Sequence, residues 1–169
     1  MTNYNYERPA KKRVPAKRVD IVSIKQSQLE VCKESSILYE GREVTNPTRA
    51  AELLNHFLLN NDREQMVVIS LNSKNEPVNM SLISIGSLNS AIAHPREVFK
   101  IAVKSNANAL ILGHSHPSGN TTVSDADQAI TEKLIDAGEL IGIPVLDHLI
   151  IGGKDNFISM REEGYFKKY

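Results

Sequence analysis

Residues 109–130 read ALILGHSHPSGNTTVSDADQAI, and they combine an apolar segment, a polar loop and the start of a helix. ALILG, at 109–113, is short and continuously apolar, which is typical of a strand at the centre of a sheet. Pro-Ser-Gly, at 117–119, predicts a turn. A long helix is predicted from about residue 124 to residue 141, because apolar residues recur there at helical spacing: Ile130, Leu134, Ala137 and Ile141. The stretch therefore predicts a central strand that leads through a loop into a helix.

Helix patterns occur at two further places in the chain. TNPTRAAELLNHFLLNN, at 45–61, begins with Thr45 or Asn46 as a candidate cap, and Pro47 suits the first turn. PREVFKIAVKSNA, at 95–107, also begins with proline and predicts a helix.

Strand patterns fill most of the remaining segments. QMVVISLN, at 65–72, and VNMSLISIG, at 78–86, are separated by the turn residues SKNEP and predict a β-hairpin. PVLDHLIIGG, at 144–153, and NFISM, at 156–160, predict the closing strands. Two short strands are also predicted in VDIVSI (19–24) and SILYEG (36–41). Because strands and helices alternate, we expect an α/β (α+β) fold, a mixed β-sheet with helices packed on it.

The composition is that of a globular protein without disulfides. Of the 169 residues, 41% are hydrophobic and 24% are charged, which suffices for one domain with a real core. The single cysteine, Cys32, excludes a disulfide framework and any zinc site built from several cysteines. No apolar run is long enough to cross a bilayer, and the N-terminus lacks the apolar segment of a secretory signal. We therefore expect a cytoplasmic protein without membrane contact.

Charge is distributed unevenly, although the formal net charge is +0. Residues 1–18 hold six basic residues against one acidic residue, so the remaining 14 basic and 19 acidic residues give a net charge near −5. This tail is expected to be a disordered, solvated arm, and the alternative is weak nucleic-acid contact through phosphates. We divide the chain into the basic tail at 1–18, an N-terminal extension at 19–45 that packs on the domain, and the domain at 46–169.

The histidines after the central strand suggest a metal site. His114 and His116 are two residues apart, so in extended chain both imidazoles point to the same side. Asp127, at the start of the next helix, is a candidate third ligand. Imidazole nitrogen and carboxylate oxygen suit zinc, and three protein ligands leave a position for a water molecule. Asp127 also has a second interpretation, because Ser124-x-x-Asp127 is a capping-box pattern at a helix start. Capping and ligation are compatible, because different atoms can serve each.

The pattern His-x-His, seven residues, Ser, two residues, Asp resembles the JAMM motif of the JAB1/MPN metalloprotease family. GSLNSAIAHPREVFKIAVKSNANALILGHSHPSG, at 86–119, and IGIPVLDHLIIGG, at 141–153, resemble the RadC-like branch of that family. The resemblance covers about residues 46–165. It implies a fold similar to that of cytidine deaminases, a mixed sheet between helices. Ser115 departs from the branch, which usually has asparagine between the histidines.

The resemblance also implies a role for each residue of the motif. His114, His116 and Asp127 would bind one zinc ion per chain, and Ser124 would help to stabilise the oxyanion. Glu64 matches the family's upstream glutamate, which holds the water and moves its proton to the leaving amine. From sequence alone Glu64 is an exposed charge at the start of a strand. The rival carboxylate, Glu97, does not match the motif.

The histidine and carboxylate pattern raises three candidate functions. The resemblance implies a zinc metallopeptidase or isopeptidase that hydrolyses an amide bond in an unidentified peptide or protein. The alternative is a non-catalytic or DNA-associated module of the RadC-like type, in DNA repair or a mobile element. A nucleobase deaminase is excluded, because that chemistry needs His-x-Glu and Pro-Cys-x-x-Cys motifs and the chain has only Cys32.

Polar residues outside the motif give weaker indications of a role in the site. His148 lies in an apolar strand, and we interpret it as a structural histidine with satisfied hydrogen bonds rather than a fourth ligand. His94, before a proline, belongs to a loop near a helix start. Asn89 and Ser90 are candidates for the lining of the cleft, on the family fold.

Overall fold

The computed structural model describes residues 43–59, 62–86 and 93–166, and within them five strands form one mixed sheet. The strands are β1 (Glu64–Leu71), β2 (Pro77–Gly86), β3 (Ala109–Ser115), β4 (Val145–Gly153) and β5 (Asn156–Ser159). The helices are α1 (Pro47–Leu58), α2 (Pro95–Lys104) and α3 (Asp125–Ile141). The strand order is β2-β1-β3-β4-β5, with β3 and β4 parallel and the other neighbours antiparallel. The mixed sheet, the hairpin and the central position of ALILG are therefore confirmed.

The sheet lies between helices because its inner strands are apolar on both faces. In β1, Val67 and Ile69 pack in the core beneath α1, whereas Met66 and Val68 pack in the core beneath α2 and α3. Alternate residues of a strand point to opposite faces, so such a strand reads as a continuous apolar run. The two cores hold the strands that carry the polar loop in a fixed position.

Gly113 lets α1 approach the central strand closely. A Cβ atom at this position would lie only 2.3 Å from a methyl carbon of Leu54 on α1. Leu54 is fully buried, and truncating such a leucine to alanine typically costs about 2 to 5 kcal/mol. Gly113 of β3 therefore allows α1 to pack on one face of the sheet. His114, the next residue, points to the opposite face.

The helix ends follow the local sequence. Asn46 caps α1 by accepting a hydrogen bond from the Arg49 amide at 3.0 Å, as one of the two predicted caps. His94 caps α2 through its ring nitrogen, which accepts from the Arg96 amide at 3.2 Å. Gly142, with φ of 78°, ends α3 in the left-handed conformation that glycine adopts without strain.

Several predictions concern residues outside the described ranges. These are the strands at 19–24 and 36–41, the basic tail at 1–18, Cys32, and the cleft residues Asn89 and Ser90. Within the described ranges, the helices are too short or too polar to cross a membrane.

Candidate metal centre

Three elements bring the polar residues to one end of the sheet. Antiparallel pairing places Met66 of β1 opposite His114 of β3. Glu64 begins β1 two residues before Met66, and His116 lies just beyond the end of β3. The loop after β3 then returns to α3, whose first turn carries Asp127. Ligand sites of open α/β sheets usually form beyond the carboxyl ends of the strands, as here.

Glu64, His114 and His116 form a compact set of metal donors. One ligand atom from each of the three lies within 4.8 Å of the others. Glu64 Oε2 is 3.6 Å from His114 Nε2, with Glu64 only 14% exposed. The two imidazole rings meet edge to face, with centroids 4.8 Å apart. The structure thus places Glu64 among the possible metal donors, whereas the resemblance implies that Glu64 holds the water.

Asp127 lies against the same pair of histidines. Its Oδ1 is 2.9 Å from His114 Nδ1, and its Oδ2 is 3.7 Å from His116 Nε2. Asp127 does not belong to the compact donor set, so two carboxylates flank the histidines from different sides. The structure therefore brings Glu64 and Asp127 to the same two histidines, and it leaves two carboxylates for the third ligand position.

The predicted capping box is fully formed, and it engages only one of the two carboxylate oxygens of Asp127. Oδ2 accepts from the Ser124 hydroxyl at 2.6 Å and from the Ser124 amide at 2.9 Å. The Asp127 amide in turn donates to the Ser124 hydroxyl oxygen at 3.1 Å. Oδ1 is left facing His114. The two interpretations of Ser124-x-x-Asp127 are thus sterically compatible, since capping uses one oxygen and leaves the other for an ion.

These contacts stabilise the ionised form of Asp127. Burial by itself raises the pKa of this carboxyl group, but His114 and the two donors of Ser124 together lower the pKa well below its usual range. Asp127 is therefore a carboxylate at neutral pH, the form in which it can bind a cation.

The backbone fixes which nitrogen His116 presents. His116 Nδ1 lies 2.6 Å from the carbonyl oxygen of Asn120, and because a carbonyl only accepts, Nδ1 carries the proton. The lone pair of the neutral ring is then on Nε2, which faces Asp127. A metal-binding histidine commonly donates its other N–H to a carbonyl in this way.

The donor chemistry of the site fits a divalent cation. His114 is 1% exposed, and while its Nδ1 faces Asp127, its Nε2 has no hydrogen-bond partner among the described residues. A buried polar atom without a partner costs about 1 to 3 kcal/mol. Two imidazoles and a carboxylate are ligands that zinc prefers, and an ion between them would compensate this cost. The site accordingly fits the predicted zinc.

His148 lies beneath the site in a buried polar contact that the sequence did not indicate. Thr131 donates to the Asp127 carbonyl oxygen at 2.6 Å, so its hydroxyl accepts from His148 Nδ1 at 2.7 Å. Nε2 of His148 has no hydrogen-bond partner among the described residues. Burial, and then the nearby charge of His114, lower the pKa of His148 to about 3, so the ring is neutral. His148 lies outside the compact donor set, but the prediction that its hydrogen bonds are satisfied is wrong for Nε2, because the ring is buried among apolar strands and only Nδ1 meets a polar group.

Two other carboxylates have different surroundings. Glu97 pairs with Arg96 at 3.4 Å and with Lys100 at 2.5 Å on the exposed surface of α2. Asp147 is buried and accepts hydrogen bonds from Ser159 Oγ and the His148 amide, and burial raises its pKa. Neither residue joins the donor set. Asp147 instead connects β4 to β5 through Ser159, and to the chain that follows β5 through the Arg161 amide.

Comparison with known proteins supports the resemblance. A model of the RadC-like JAB domain family matches residues 44–165. The UPF0758 protein of Desulfitobacterium hafniense is 46% identical over 121 residues, which are 72% of this chain and 53% of that protein. The UPF0758 protein of Caldanaerobacter subterraneus is 45% identical over 127 residues, 75% of this chain and 54% of that protein. A UPF0758 protein of Moorella thermoacetica is 47% identical over 119 residues, which are 70% of this chain and 52% of that protein. The chain spans about half the length of the curated relatives it matches.

Proposed function

The chain belongs to the RadC-like JAB domain family, and from this premise we propose that it is a zinc-dependent metallopeptidase or isopeptidase that hydrolyses an amide bond. The observation that carries the proposal is the convergence of Glu64, His114 and His116, whose donor atoms lie within 4.8 Å of one another. A buried, ionised Asp127 against the same histidines completes a set of two imidazoles and two carboxylates. Such a set offers three ligands for an ion and one further carboxylate for proton transfer.

In this proposal His114, His116 and Asp127 hold about one zinc ion per chain. A bound zinc supplies a Lewis acid, which lowers the pKa of a water molecule and polarises the carbonyl group of the substrate. His116 offers Nε2, because its Nδ1 proton is held by Asn120. Asp127 offers Oδ1, because Oδ2 is already occupied by the two donors of Ser124.

Glu64 acts as the general base and then as the general acid. Its carboxylate takes a proton from the attacking water as the new C–O bond forms. It returns that proton to the leaving nitrogen as the C–N bond breaks, so the group ends each cycle ionised. His114 and His116 are committed to the metal, and Glu64 is the carboxylate beside them that capping does not engage. General acid–base catalysis of this kind contributes about 10² to 10⁴ in rate.

Ser124 donates a hydrogen bond to the oxyanion of the tetrahedral intermediate. Its hydroxyl proton is directed to Asp127 Oδ2 at 2.6 Å, so this role requires the hydroxyl to rotate towards the substrate. The Ser124 amide remains on Oδ2 throughout and keeps the aspartate in place. Loss of one oxyanion donor typically lowers the rate by about 10² to 10³.

The proposal is tested by separating zinc binding from turnover. Zinc content is measured by elemental analysis in untagged wild-type protein and in Glu64→Gln, Asp127→Asn and Glu97→Gln. We expect about one zinc per chain in the wild type, in Glu64→Gln and in the surface control Glu97→Gln, and loss of zinc in Asp127→Asn. Loss in Glu64→Gln with retention in Asp127→Asn would instead make Glu64 the ligand.

Turnover is then compared on a substrate found in a cell lysate. New amino termini that appear with wild-type protein, and not with Glu64→Gln, identify the cleaved bond. Purified substrate should be cleaved about 10² to 10⁴ times more slowly by Glu64→Gln and at an unchanged rate by Glu97→Gln. If zinc-loaded wild type produces no termini that Glu64→Gln lacks, the non-catalytic module is the correct assignment.

A further inference from the structure

His116 stands at the start of a short loop that returns the chain towards the β4–β5 hairpin. Its backbone amide donates to the Ile151 carbonyl oxygen of β4 at 2.8 Å. The Gly119 amide donates back to the His116 carbonyl oxygen at 2.9 Å, which closes a tight turn. Gly119 has φ of 78°, and the Asn120 carbonyl oxygen then meets the His116 ring. The direction of the Asn120 carbonyl therefore depends on how this turn is held.

A side chain from the hairpin holds the turn. Asn156, the first residue of β5, donates from Nδ2 to the Gly119 carbonyl oxygen at 2.7 Å. The Gly119 carbonyl belongs to the peptide unit between Gly119 and Asn120. The direction of the Asn120 carbonyl therefore depends on that of the Gly119 carbonyl, because only one residue separates them. The other side-chain hydrogen bonds of the loop are local, such as Thr122 to Asn120 Oδ1 at 2.7 Å.

Gly152 makes this contact possible. A Cβ atom at position 152 would lie 2.6 Å from the Gly119 carbonyl oxygen and 2.7 Å from Asn156 Nδ2. Real Cβ atoms do not approach so closely, so the hairpin and the loop are in contact only because residue 152 has no side chain. Two features from outside the motif, a glycine and an amide, thus converge on the carbonyl next to Asn120.

We propose that Asn156 is a positioning residue of the metal centre, an inference that rests on the proposed zinc site. By holding the Gly119 carbonyl, Asn156 keeps the Asn120 carbonyl on His116 Nδ1. His116 is thereby kept with its proton on Nδ1 and its lone pair on Nε2, which faces Asp127. Without that contact, either nitrogen of the neutral ring can carry the proton, and part of the population presents Nε2–H, which cannot bind a metal.

The experiment compares Asn156→Ala with a matched variant, Asn55→Ala. Asn55 on α1 donates from Nδ2 to the Lys154 carbonyl oxygen at 2.9 Å, so it makes a bond of the same type to the same hairpin without touching the loop. In metal-free full-length protein, ¹⁵N NMR of the His116 ring reports the tautomer, with its signals assigned by their absence in His116→Gln. Zinc affinity is measured with Zn²⁺ alone, in competition with a chromophoric chelator.

We expect wild type and Asn55→Ala to show the Nδ1–H tautomer and the same zinc affinity. Asn156→Ala should show a mixture of tautomers and bind zinc about 10- to 100-fold more weakly, the usual effect of losing an outer contact of a ligand. Wild-type tautomer and affinity in Asn156→Ala would overturn the inference, and so would equal losses in Asn55→Ala. If wild type binds no zinc, the proposed function fails, while the tautomers in metal-free protein still decide the role of Asn156.

Discussion

Replacing Ser124 by alanine removes one hydroxyl that makes two contacts with Asp127. The hydroxyl donates to Asp127 Oδ2 at 2.6 Å and accepts from the Asp127 amide at 3.1 Å. The Ser124 amide, which donates to the same Oδ2 at 2.9 Å, is unaffected. Since Asp127 is 2% exposed, water cannot easily replace the lost donor. The variant should therefore destabilise the protein through both the helix cap and the buried carboxylate.

The size of the effect follows from the two contacts. Loss of a serine cap typically costs about 1 kcal/mol. A hydrogen bond to a charged group contributes about 1.5 to 3 kcal/mol, and the lower value applies here because one donor remains on Oδ2. The two contributions share one hydroxyl and do not add fully. We expect Ser124→Ala to lower the free energy of unfolding by about 2 kcal/mol.

The assay is urea denaturation followed by far-ultraviolet circular dichroism, in the presence of a chelator so that no bound metal contributes. Ser124→Thr keeps the hydroxyl and should remain within about 0.5 kcal/mol of wild type. Ser118→Ala removes an exposed hydroxyl that, among the residues the structure describes, accepts a hydrogen bond from the Asn120 amide at 3.3 Å, and it should change stability by less than about 0.5 kcal/mol. A loss below about 0.5 kcal/mol in Ser124→Ala would refute the structural role given to the capping box.

Further expectations concern the surroundings of the site. Thr131→Val should cost about 1 to 3 kcal/mol in urea denaturation, because buried His148 Nδ1–H then loses its acceptor. Gly152→Ala should cost about 1 to 3 kcal/mol in the same assay, because its Cβ atom would press on the opposing loop. The lowered pKa of Asp127 stabilises metal-free protein above the ordinary aspartate pKa of about 3.9, and this stability is lost as the pH falls through the folded value. The difference in unfolding free energy between about pH 5 and about pH 2.5 should therefore be smaller in Asp127→Asn than in wild type. If the tail contacts nucleic acid, deletion of residues 1–18 should abolish that binding in a salt titration, and equal binding by the shortened chain would show that the tail is only a solvated arm.

Much of the fold follows from local patterns in the sequence. The apolar run ALILG indicates a strand buried on both faces, and β3 is indeed the central strand. Proline, the cap residues and Gly142 mark the helix ends, because their effects involve only neighbouring residues. The same reason explains why both interpretations of Ser124 and Asp127 were visible, since a spacing of three places them together at a helix start.

The contacts that join distant segments were not visible in the sequence. Glu64 becomes a site residue only through the pairing of β1 with β3, and without the family pattern it reads as an ordinary surface charge. Asn156 reaches Gly119 across 37 residues, and Thr131 reaches His148 across 17. Asparagine and threonine are common surface residues, so their types carry no signal. Only the assembled sheet shows which polar atoms meet.

The pairing of β1 with β3 also sets the time at which the site can exist during folding. The β1–β2 hairpin involves neighbouring segments and can close early, whereas β1 must find β3 across an intervening helix, and such non-local pairing is slow. During synthesis Glu64 leaves the ribosome well before His114, His116 and Asp127, so an incomplete chain with only its hairpin formed lacks the donor set. A metal ion held by the proposed ligands His114, His116 and Asp127 would therefore gain Glu64 as a neighbour only after β1 and β3 have paired. The complete set of four side chains accordingly exists only in a chain whose central strand pair has formed.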